Sequence, residues 1–168
     1  MDYAGFLIES KIADSYIENA GKGRFFLKNY EKGTTIRIQD LETDLYIYKN
    51  IQEIQKADQE HILNFAHSHC KDSDINTQYM YVNKEPFYTN HSSHNNISFQ
   101  IRAGKKLTYL TRDVKAGEEM LQNYEEYTIN PWFEEYLHSK GEKSLREFGV
   151  EHNKFTTKNE EVLEQLIT

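Results

Sequence analysis

One segment, residues 96–110, constrains the fold more than any other part of the sequence. Apolar side chains recur at every second position on both sides of a short break: Ile97, Phe99, Ile101, Leu107 and Tyr109. The break is Ala103-Gly104-Lys105. Successive side chains of a strand point to opposite faces, and glycine suits a tight turn. The pattern therefore predicts an antiparallel hairpin.

Further elements follow from local patterns in the first half of the chain. The segments TTIRIQDL (residues 34–41) and DLYIYKN (residues 44–50) are rich in β-branched and aromatic residues, which predicts two strands. Apolar residues between positions 52 and 68 fall mostly on one helical face, which predicts an amphipathic helix. We therefore predict a mainly β chain with α insertions.

The C-terminal part of the chain predicts helices. In NPWFEEYLHSKG, Asn130 is a typical N-cap, Pro131 suits the first helical position, and Gly141 marks the end. Four apolar residues of this helix share one face: Trp132, Phe133, Tyr136 and Leu137. A last helix is predicted over about residues 158–167.

Length, charge and cysteine content argue against several classes of protein. The 168 residues suffice for one domain with one core. Cys70 is the single cysteine, so the chain can form neither an intrachain disulfide nor a multi-cysteine zinc cluster. A formal net charge of -7 disfavours direct nucleic-acid binding. Without a long apolar run or a signal peptide, we expect a soluble, intracellular protein that has no membrane partner.

Two segments carry residue types that suit ligand binding. Gly21 and Gly23 flank Lys22, and two glycines let a ligand approach the backbone closely, although a Gly-x-Gly is usually a turn. The stretch YTNHSSHNNISF, residues 88–99, is dense in short polar side chains that can bond to nearby backbone. A polar surface loop has the same composition. Either segment alone is therefore a weak signal.

A third segment, residues 110–127, contains a candidate tyrosine, Tyr124, near its end. A tight turn is predicted at residues 113–117, and Met120, Gln122 and Tyr124 would then project to one side of a strand. A tyrosine in such a place normally serves core or edge packing. Tyr124 is therefore a candidate functional residue only when this segment is considered together with the other two.

Metal binding is the alternative that the histidines raise. His91 and His94 lie three residues apart in a loop without a nearby carboxylate. His67, His69 and Cys70 lie at the predicted end of a helix, where histidines also favour the negative end of the dipole. We predict no metal site at either place.

The order of the three segments resembles the SET domain of protein lysine methyltransferases. A Gly-x-Gly precedes Asn-His-Ser with a further Asn four residues later, then Arg-Asp-Val-x-Ala-Gly-Glu-Glu, and a Tyr seven residues after its Gly. The resemblance covers residues 11–128 and is closest to small free-standing members that have no zinc-binding flanks. It implies a β-clip type SET domain at residues 1–128, with small sheets, a knot-like crossing and a helical insertion at about residues 50–86. Residues 129–168 would form a helical segment that packs on it.

The resemblance also implies a site, an activity and a cofactor. The cofactor is S-adenosylmethionine, and the matching positions are Gly21, Lys22, Gly23, Arg24, Asn90, His91 and Tyr124. Tyr124 matches the catalytic tyrosine. The channel for the acceptor lysine would be lined by Tyr88, Phe99, Gln122, Trp132 and Phe133, although plain packing of their helix also explains the last two. The substrate would be a lysine-containing protein or peptide, such as a histone.

Several positions depart from the family pattern. Ser93 stands where the family often has Cys, and Asn95 where it usually has Pro. Gln122 replaces an aromatic residue that influences the number of methyl groups transferred, and Asn123 replaces a frequent Asp. The alternative function is therefore a catalytically weak or inactive binding module on a SET scaffold.

Overall fold

The computed structural model describes residues 5–57, 66–67, 79–84, 87–127 and 130–153. Their strands are β1 Ser10–Asp14, β2 Lys22–Phe26, β3 Thr35–Asp40, β4 Leu45–Tyr48, β5 Ala66–His67, β6 Met80–Asn83, β7 Asn90–His91, β8 Ile97–Arg102, β9 Lys105–Leu110 and β10 Leu121–Gln122. Their helices are α1 Ile51–Gln55, a 3₁₀ turn at Tyr124–Glu126, α2 Pro131–Ser139 and α3 at residues 145–153. None of these helices is long and apolar enough to cross a membrane.

The strands form four small sheets. β1 pairs with β2, β9 lies between β3 and β8, and β6 lies between β4 and β5, all antiparallel. β7 and β10 form a parallel pair of two residues each. Together with the C-terminal helices, this arrangement confirms the predicted mainly β fold of small sheets with α insertions.

The predicted hairpin is confirmed as β8 and β9. The strands are paired from Ile97 opposite Leu110 to Arg102 opposite Lys105, so the connecting loop is Ala103-Gly104. Both loop residues have positive φ, 51° at Ala103 and 73° at Gly104. Positive φ at both positions is the type I′ geometry, whose twist matches that of the flanking strands.

The predicted strands at residues 34–41 and 44–50 are confirmed as β3 and β4, with one difference in how β3 faces the core. Ile36 is fully buried, whereas Ile38 is 36% exposed and its neighbour Gln39 is buried. The pairing with β9 shifts between Thr35 and Arg37. A shift of one residue moves the following side chains to the opposite face of the strand.

The predicted helix after Asn130 is confirmed as α2. The Asn130 side chain accepts a hydrogen bond from the Phe133 backbone N–H, and Pro131 begins the helix. Its buried face joins α1 and β6 in one apolar cluster of Ile54, Met80, Val82, Phe133, Tyr136 and Leu137, with Trp132 packed against it.

The predicted helix over residues 52–68 is wrong at its C-terminal end. α1 ends at Gln55, and Ala66–His67 lie in β5, opposite Val82 and Tyr81 of β6. Pairing with a neighbouring strand decides the conformation of a short segment over its own periodicity. The insertion predicted as helical at about residues 50–86 therefore contains two strands. Residues 58–65 lie outside the described part of the chain.

α3 begins with reciprocal hydrogen bonds between Ser144 and Glu147. The Glu147 backbone N–H donates to Ser144 Oγ at 3.2 Å, and the Ser144 backbone N–H donates to Glu147 Oε1 at 3.3 Å. Such a capping box satisfies backbone donors that the first helical turn leaves free. The helix predicted over residues 158–167 lies outside the described residues.

Asn96 joins the polar stretch to the segment that carries Glu119 and Leu121. Its side-chain Nδ2 donates to the Glu119 carbonyl at 2.7 Å, and its Oδ1 accepts from the Leu121 backbone N–H at 2.9 Å. The side chain is 1% exposed. Because the backbone groups of these two segments cannot all join a sheet, the side-chain amide of Asn96 takes the place of strand partners for the Glu119 carbonyl and the Leu121 N–H.

Replacing this amide should therefore destabilise the protein. In Asn96→Asp, a carboxylate oxygen would face the Glu119 carbonyl, which removes the donor and buries a charge. We expect the free energy of unfolding to fall by about 3 kcal/mol in denaturant titrations. Asn29→Asp is the control, because exposed Asn29 accepts from the Ala116 N–H through Oδ1, which an aspartate oxygen can also do. Equal stability of the two variants would contradict the role of Asn96.

Candidate functional site

Tyr124 lies just beyond the strand on which the sequence places it. β10 ends at Gln122, and the Asn123 side chain accepts from the Glu125 backbone N–H at 3.1 Å. This cap turns the chain into the 3₁₀ helix that begins at Tyr124. The prediction that Tyr124 continues the strand is therefore wrong, because a local side-chain cap replaces the strand's ladder.

The Tyr124 hydroxyl has a fixed partner. It donates to the Thr89 carbonyl at 2.8 Å, and Thr89 directly precedes Asn90. Burial, with a smaller contribution from Tyr127, raises the pKa of the Tyr124 phenol well above its usual value. The group therefore stays protonated at any physiological pH, and its oxygen lone pairs remain able to accept weak hydrogen bonds.

His91 holds Tyr124 through its side chain. Its Nδ1 accepts from the Tyr124 backbone N–H at 3.0 Å, and its Nε2 lies 2.8 Å from Asn153 Oδ1. The Asn153 amide nitrogen donates to Asn123 and Glu125, so its oxygen faces the histidine. This network assigns the proton of a neutral His91 to Nε2. α3 is thereby tied to the polar stretch.

A buried carboxylate, Glu119, lies beside Asn90. Glu119 is 4% exposed and accepts from the Ser15 hydroxyl at 2.7 Å, the Tyr16 backbone N–H at 3.0 Å and Asn90 Nδ2 at 3.0 Å. These three donors offset the cost of burying the charge. Sequence reasoning missed the role of Glu119, although the residue is part of the Gly-Glu-Glu motif.

The glycine segment adjoins the same carboxylate. Asn90 Nδ2 also donates to the Lys22 carbonyl at 2.9 Å. A Cβ on Gly23 would lie 2.2 Å from Glu119 Oε1, so any other residue there requires the Glu119 side chain to move. Lys22 and Gly23 belong to β2, whereas a Gly-x-Gly is usually a turn. Pairing of Gly23 with Ala13 of β1 is the reason.

Lys22 and Arg24 make their own contacts within the protein. Lys22 pairs with exposed Asp14. Arg24 donates to the Phe87 carbonyl at 2.8 Å and to Ser10 Oγ at 2.7 Å. Arg24 thus links β2 to β1 and to the segment that leads into the polar stretch.

An aromatic row leads away from Tyr124. The centre of the Tyr124 ring lies 6.2 Å from that of the Tyr127 ring. The Tyr127 ring stacks on Phe99, with 5.6 Å between their centres. The Tyr127 hydroxyl accepts from Gln122 Nε2 at 2.6 Å, and the Lys106 ammonium lies 4.5 Å from the centre of the Phe99 ring. The structure thus brings Phe99 and Gln122 together near Tyr124. Buried Tyr127 is a further member that sequence reasoning missed.

Tyr88 and the two aromatic residues of α2 lie in other surroundings. Tyr88 is 41% exposed and has a positive φ of 56°, an uncommon backbone conformation just before Thr89. Trp132 and Phe133 pack in the cluster with α1 and β6. Packing thus accounts for their positions on α2, and their place in a channel stays a prediction.

Phe148 of α3 lies beside Tyr124 and His91. Its ring is 6.1 Å from Tyr124 and 6.0 Å from His91, and it stacks on His152 at 3.9 Å. A cavity of about 430 Å³ lies between Tyr124, Phe148 and residues 141–145. The sequence analysis did not predict α3, so it could not identify Phe148.

Close packing of α3 on Tyr124 gives a testable consequence. A Cβ on Gly149 would lie 2.8 Å from the Glu125 backbone nitrogen and 3.0 Å from Tyr124 Cβ. Gly149→Ala must therefore push α3 away, and we expect a loss of about 2 kcal/mol in unfolding free energy. Gly141→Ala is the control: its φ is 72°, nothing lies within 4 Å of the new Cβ, and the backbone cost is about 1 kcal/mol. A Gly149→Ala protein as stable as the parent would contradict this packing.

No family model and no curated protein matches the sequence. Solved structures do match it. One is polycomb repressive complex 2 in an autoinhibited conformation bound to S-adenosylmethionine, with a TM-score of 0.55, 18% identity, and coverage of 82% of this chain and 17% of that chain. Another is a humanized mutant of the Chaetomium thermophilum complex bound to an inhibitor, with a TM-score of 0.54, 18% identity, and coverage of 73% and 16%.

A third match is CpSET8 from Cryptosporidium, with a TM-score of 0.48, 15% identity, and coverage of 67% of this chain and 56% of that chain. The chain thus spans less than two thirds of each of these three chains. At these identities the comparisons concern the fold alone. The small antiparallel sheets match those of the neighbours with TM-scores of 0.54 and 0.55, and the chain has a SET-like fold.

Proposed function

We propose that this chain is a protein lysine N-methyltransferase that uses S-adenosylmethionine. The observation that carries the proposal is the meeting of three distant segments at one point. The Tyr124 hydroxyl contacts the Thr89 carbonyl, while neighbouring Asn90 contacts both Lys22 and Glu119. One SET-like neighbour is itself bound to S-adenosylmethionine.

The residues present fit a cofactor that carries positive charge. Asn90 uses its side-chain nitrogen toward Lys22 and Glu119, so its oxygen is the atom that would accept from a ligand ammonium. Thr89 Oγ1 is buried and has no hydrogen-bond partner within the described ranges. Gly21, Lys22, Gly23, Arg24, Asn90 and His91 are the proposed cofactor segments. When bound, the cofactor supplies an electrophilic methyl group on a sulfonium.

Tyr124 is the proposed catalytic residue, and its role is positional and electrostatic. The Tyr124 hydroxyl donates its proton to the Thr89 carbonyl, and this hydrogen bond orients the lone pairs of the Tyr124 oxygen. They can accept weak C–H contacts from the methyl group and stabilise partial positive charge. Because the pKa of the phenol is raised, we do not assign Tyr124 as a general base.

The proposed acceptor is a lysine side chain of a protein or peptide, such as a histone tail. A free lysine has a pKa of about 10.4, so a methyl acceptor must lose its proton first. Placing the acceptor amine beside the rings of Tyr127 and Phe148, partly out of water, would disfavour its ammonium form. The net charge of -7 and the acidic residues Glu125 and Glu126 favour a basic peptide.

We further infer that residues 1–128, with an insertion at about residues 50–86, form the SET-like unit on which residues 129–168 pack. Support comes from both C-terminal helices. α2 shares an apolar cluster with α1 and β6, and Gly149 of α3 lies against Tyr124 and Glu125. Asn153 of α3 also bonds to His91.

The test is incubation of the purified protein with methyl-labelled S-adenosylmethionine and core histones or lysate proteins. We expect label on lysine from the parent protein and far less from Tyr124→Phe. Calorimetric binding of the cofactor without transfer would instead favour a binding module on a SET scaffold. Gln122 favours that rival, because an amide that donates to Tyr127 stands where many SET enzymes have an aromatic ring. If the protein showed no cofactor binding and no methyl transfer, both proposed functions would be overturned.

A further inference from the structure

Three metal-ligating side chains converge where α2 meets α3. Glu134 and His138 lie four residues apart on α2, and Glu147 comes from the first turn of α3. His138 Nε2 lies 2.7 Å from Glu147 Oε1 and 4.0 Å from Glu134 Oε2. One ligand atom from each residue lies within 4.8 Å of the other two.

The three side chains differ in burial in a way that suits a ligand approached from solvent. The side chain of Glu134 is 15% exposed, whereas those of Glu147 and His138 are 36% and 55% exposed. The Glu134 carboxyl group thus lies at the bottom and His138 at the open side. Two carboxylates so close repel each other unless a proton or a cation lies between them.

We propose that Glu134, His138 and Glu147 form a Zn²⁺ site that joins α2 to α3. Imidazole nitrogen and carboxylate oxygen are both ordinary zinc ligands, and three protein ligands leave a fourth position for water. Bonds of about 2.1 Å in a tetrahedron place ligand atoms about 3.4 Å apart. The observed separations of 2.7 and 4.0 Å lie on either side of that value, so small side-chain rotations complete the geometry.

Other roles account for part of the cluster. Glu147 belongs to the capping box with Ser144, and its Oε1 faces His138 as an ion pair would. The Glu134 carboxyl group shares a hydrogen bond with Glu147 and accepts one from the Ser144 side chain. A proton therefore bridges the two carboxyl groups when no metal is bound, and a cation can take the place of that proton. The zinc site uses one atom of each residue: His138 Nε2, Glu147 Oε1 and Glu134 Oε2.

Such a site would fix α3 in place over Tyr124. Glu147 directly precedes Phe148 and Gly149, the residues that lie against Tyr124. Zinc should therefore stabilise the contact between α3 and the 3₁₀ turn. Binding itself is independent of the proposed methyltransferase activity, so the two proposals fail separately.

The test is calorimetric titration of the metal-free chain of residues 1–168 with ZnCl₂, together with thermal unfolding. We expect one Zn²⁺ per chain at this site and a higher Tm with zinc. Glu147→Gln is the informative variant, because glutamine also serves at this position of a capping box. It should keep the metal-free Tm and lower zinc affinity at least 10-fold, as should His138→Gln. Glu151→Gln, on the same helix and paired with Lys143, is the control that should bind like the parent.

His69 and Cys70 are zinc ligand types that lie outside the described residues, and a second variant separates them. The double variant His69→Gln, Cys70→Ser should bind zinc at the α2–α3 site as the parent does. Loss of binding in that variant, with unchanged binding in Glu147→Gln and His138→Gln, would overturn the proposal. Failure of the parent to bind zinc would overturn it as well.

Discussion

In Tyr124→Phe, methyl transfer should fall by about 100- to 1,000-fold while cofactor affinity stays close to that of the parent. This is the typical loss when one fixed polar group at a reacting centre is removed. The variant keeps the ring that contacts Tyr127 and Phe148 and loses only the hydroxyl that donates to Thr89. Initial rates with labelled cofactor and calorimetric cofactor binding provide the two measurements.

The matched control for this variant is Tyr30→Phe. Tyr30 packs against the apolar cluster around Phe26 and lies in none of the proposed site segments. Its variant should transfer methyl groups at the parental rate. Parental activity in Tyr124→Phe would rule out the assigned role, and equal losses in both variants would indicate a general effect of losing a tyrosine hydroxyl.

Gly23→Ala should cost the protein about 3 kcal/mol of stability and weaken cofactor binding. The new Cβ would lie 2.2 Å from Oε1 and 2.8 Å from the carboxyl carbon of Glu119. Moving that buried carboxylate also disturbs its hydrogen bonds from Ser15 and Asn90. Overpacking and the loss of these bonds act together. The expected fall in Tm is about 6–12 °C by differential scanning calorimetry.

A shorter carboxylate provides the rescue for this substitution. In the double variant Gly23→Ala, Glu119→Asp, the aspartate retracts from the new methyl group. Its stability should exceed the value obtained by adding the two single effects, which is the signature of a direct contact in a double-mutant cycle. Strict additivity would show that Gly23 and Glu119 do not compete for space.

Much of the local structure could be predicted, because it depends on residues near one another in sequence. The hairpin follows from alternation and a two-residue turn, and α2 follows from Asn130 and Pro131. β5 could not be predicted, since its two residues are strand only through their pairing with β6. Tyr124 was identified only through its place in a family pattern, and its local fold depends on the cap by Asn123.

The candidate site was partly predictable for the same reason. Asn90, Gly23 and Tyr124 were identified through motif order, but Glu119 gains its role only when Ser15 and Asn90 reach it. His91 was identified only as a cofactor position, and the structure shows that both of its ring nitrogens bond within the protein. The α2–α3 cluster was missed because Glu147 lies on α3, a helix that the sequence pattern did not predict. Such contacts depend on tertiary packing.

The parallel pairing of β7 with β10 has a consequence for the order of folding. This ladder is only two residues long on each side, and the Asn90–Glu119 contact beside it spans 29 positions of the chain. A ladder this short contributes little free energy against the entropy cost of closing the loop between Asn90 and Glu119. The β8–β9 hairpin lies within the loop and brings its ends together. We therefore expect the hairpin to form early and the site late, so that a newly made chain acquires its sheets before its capacity to bind.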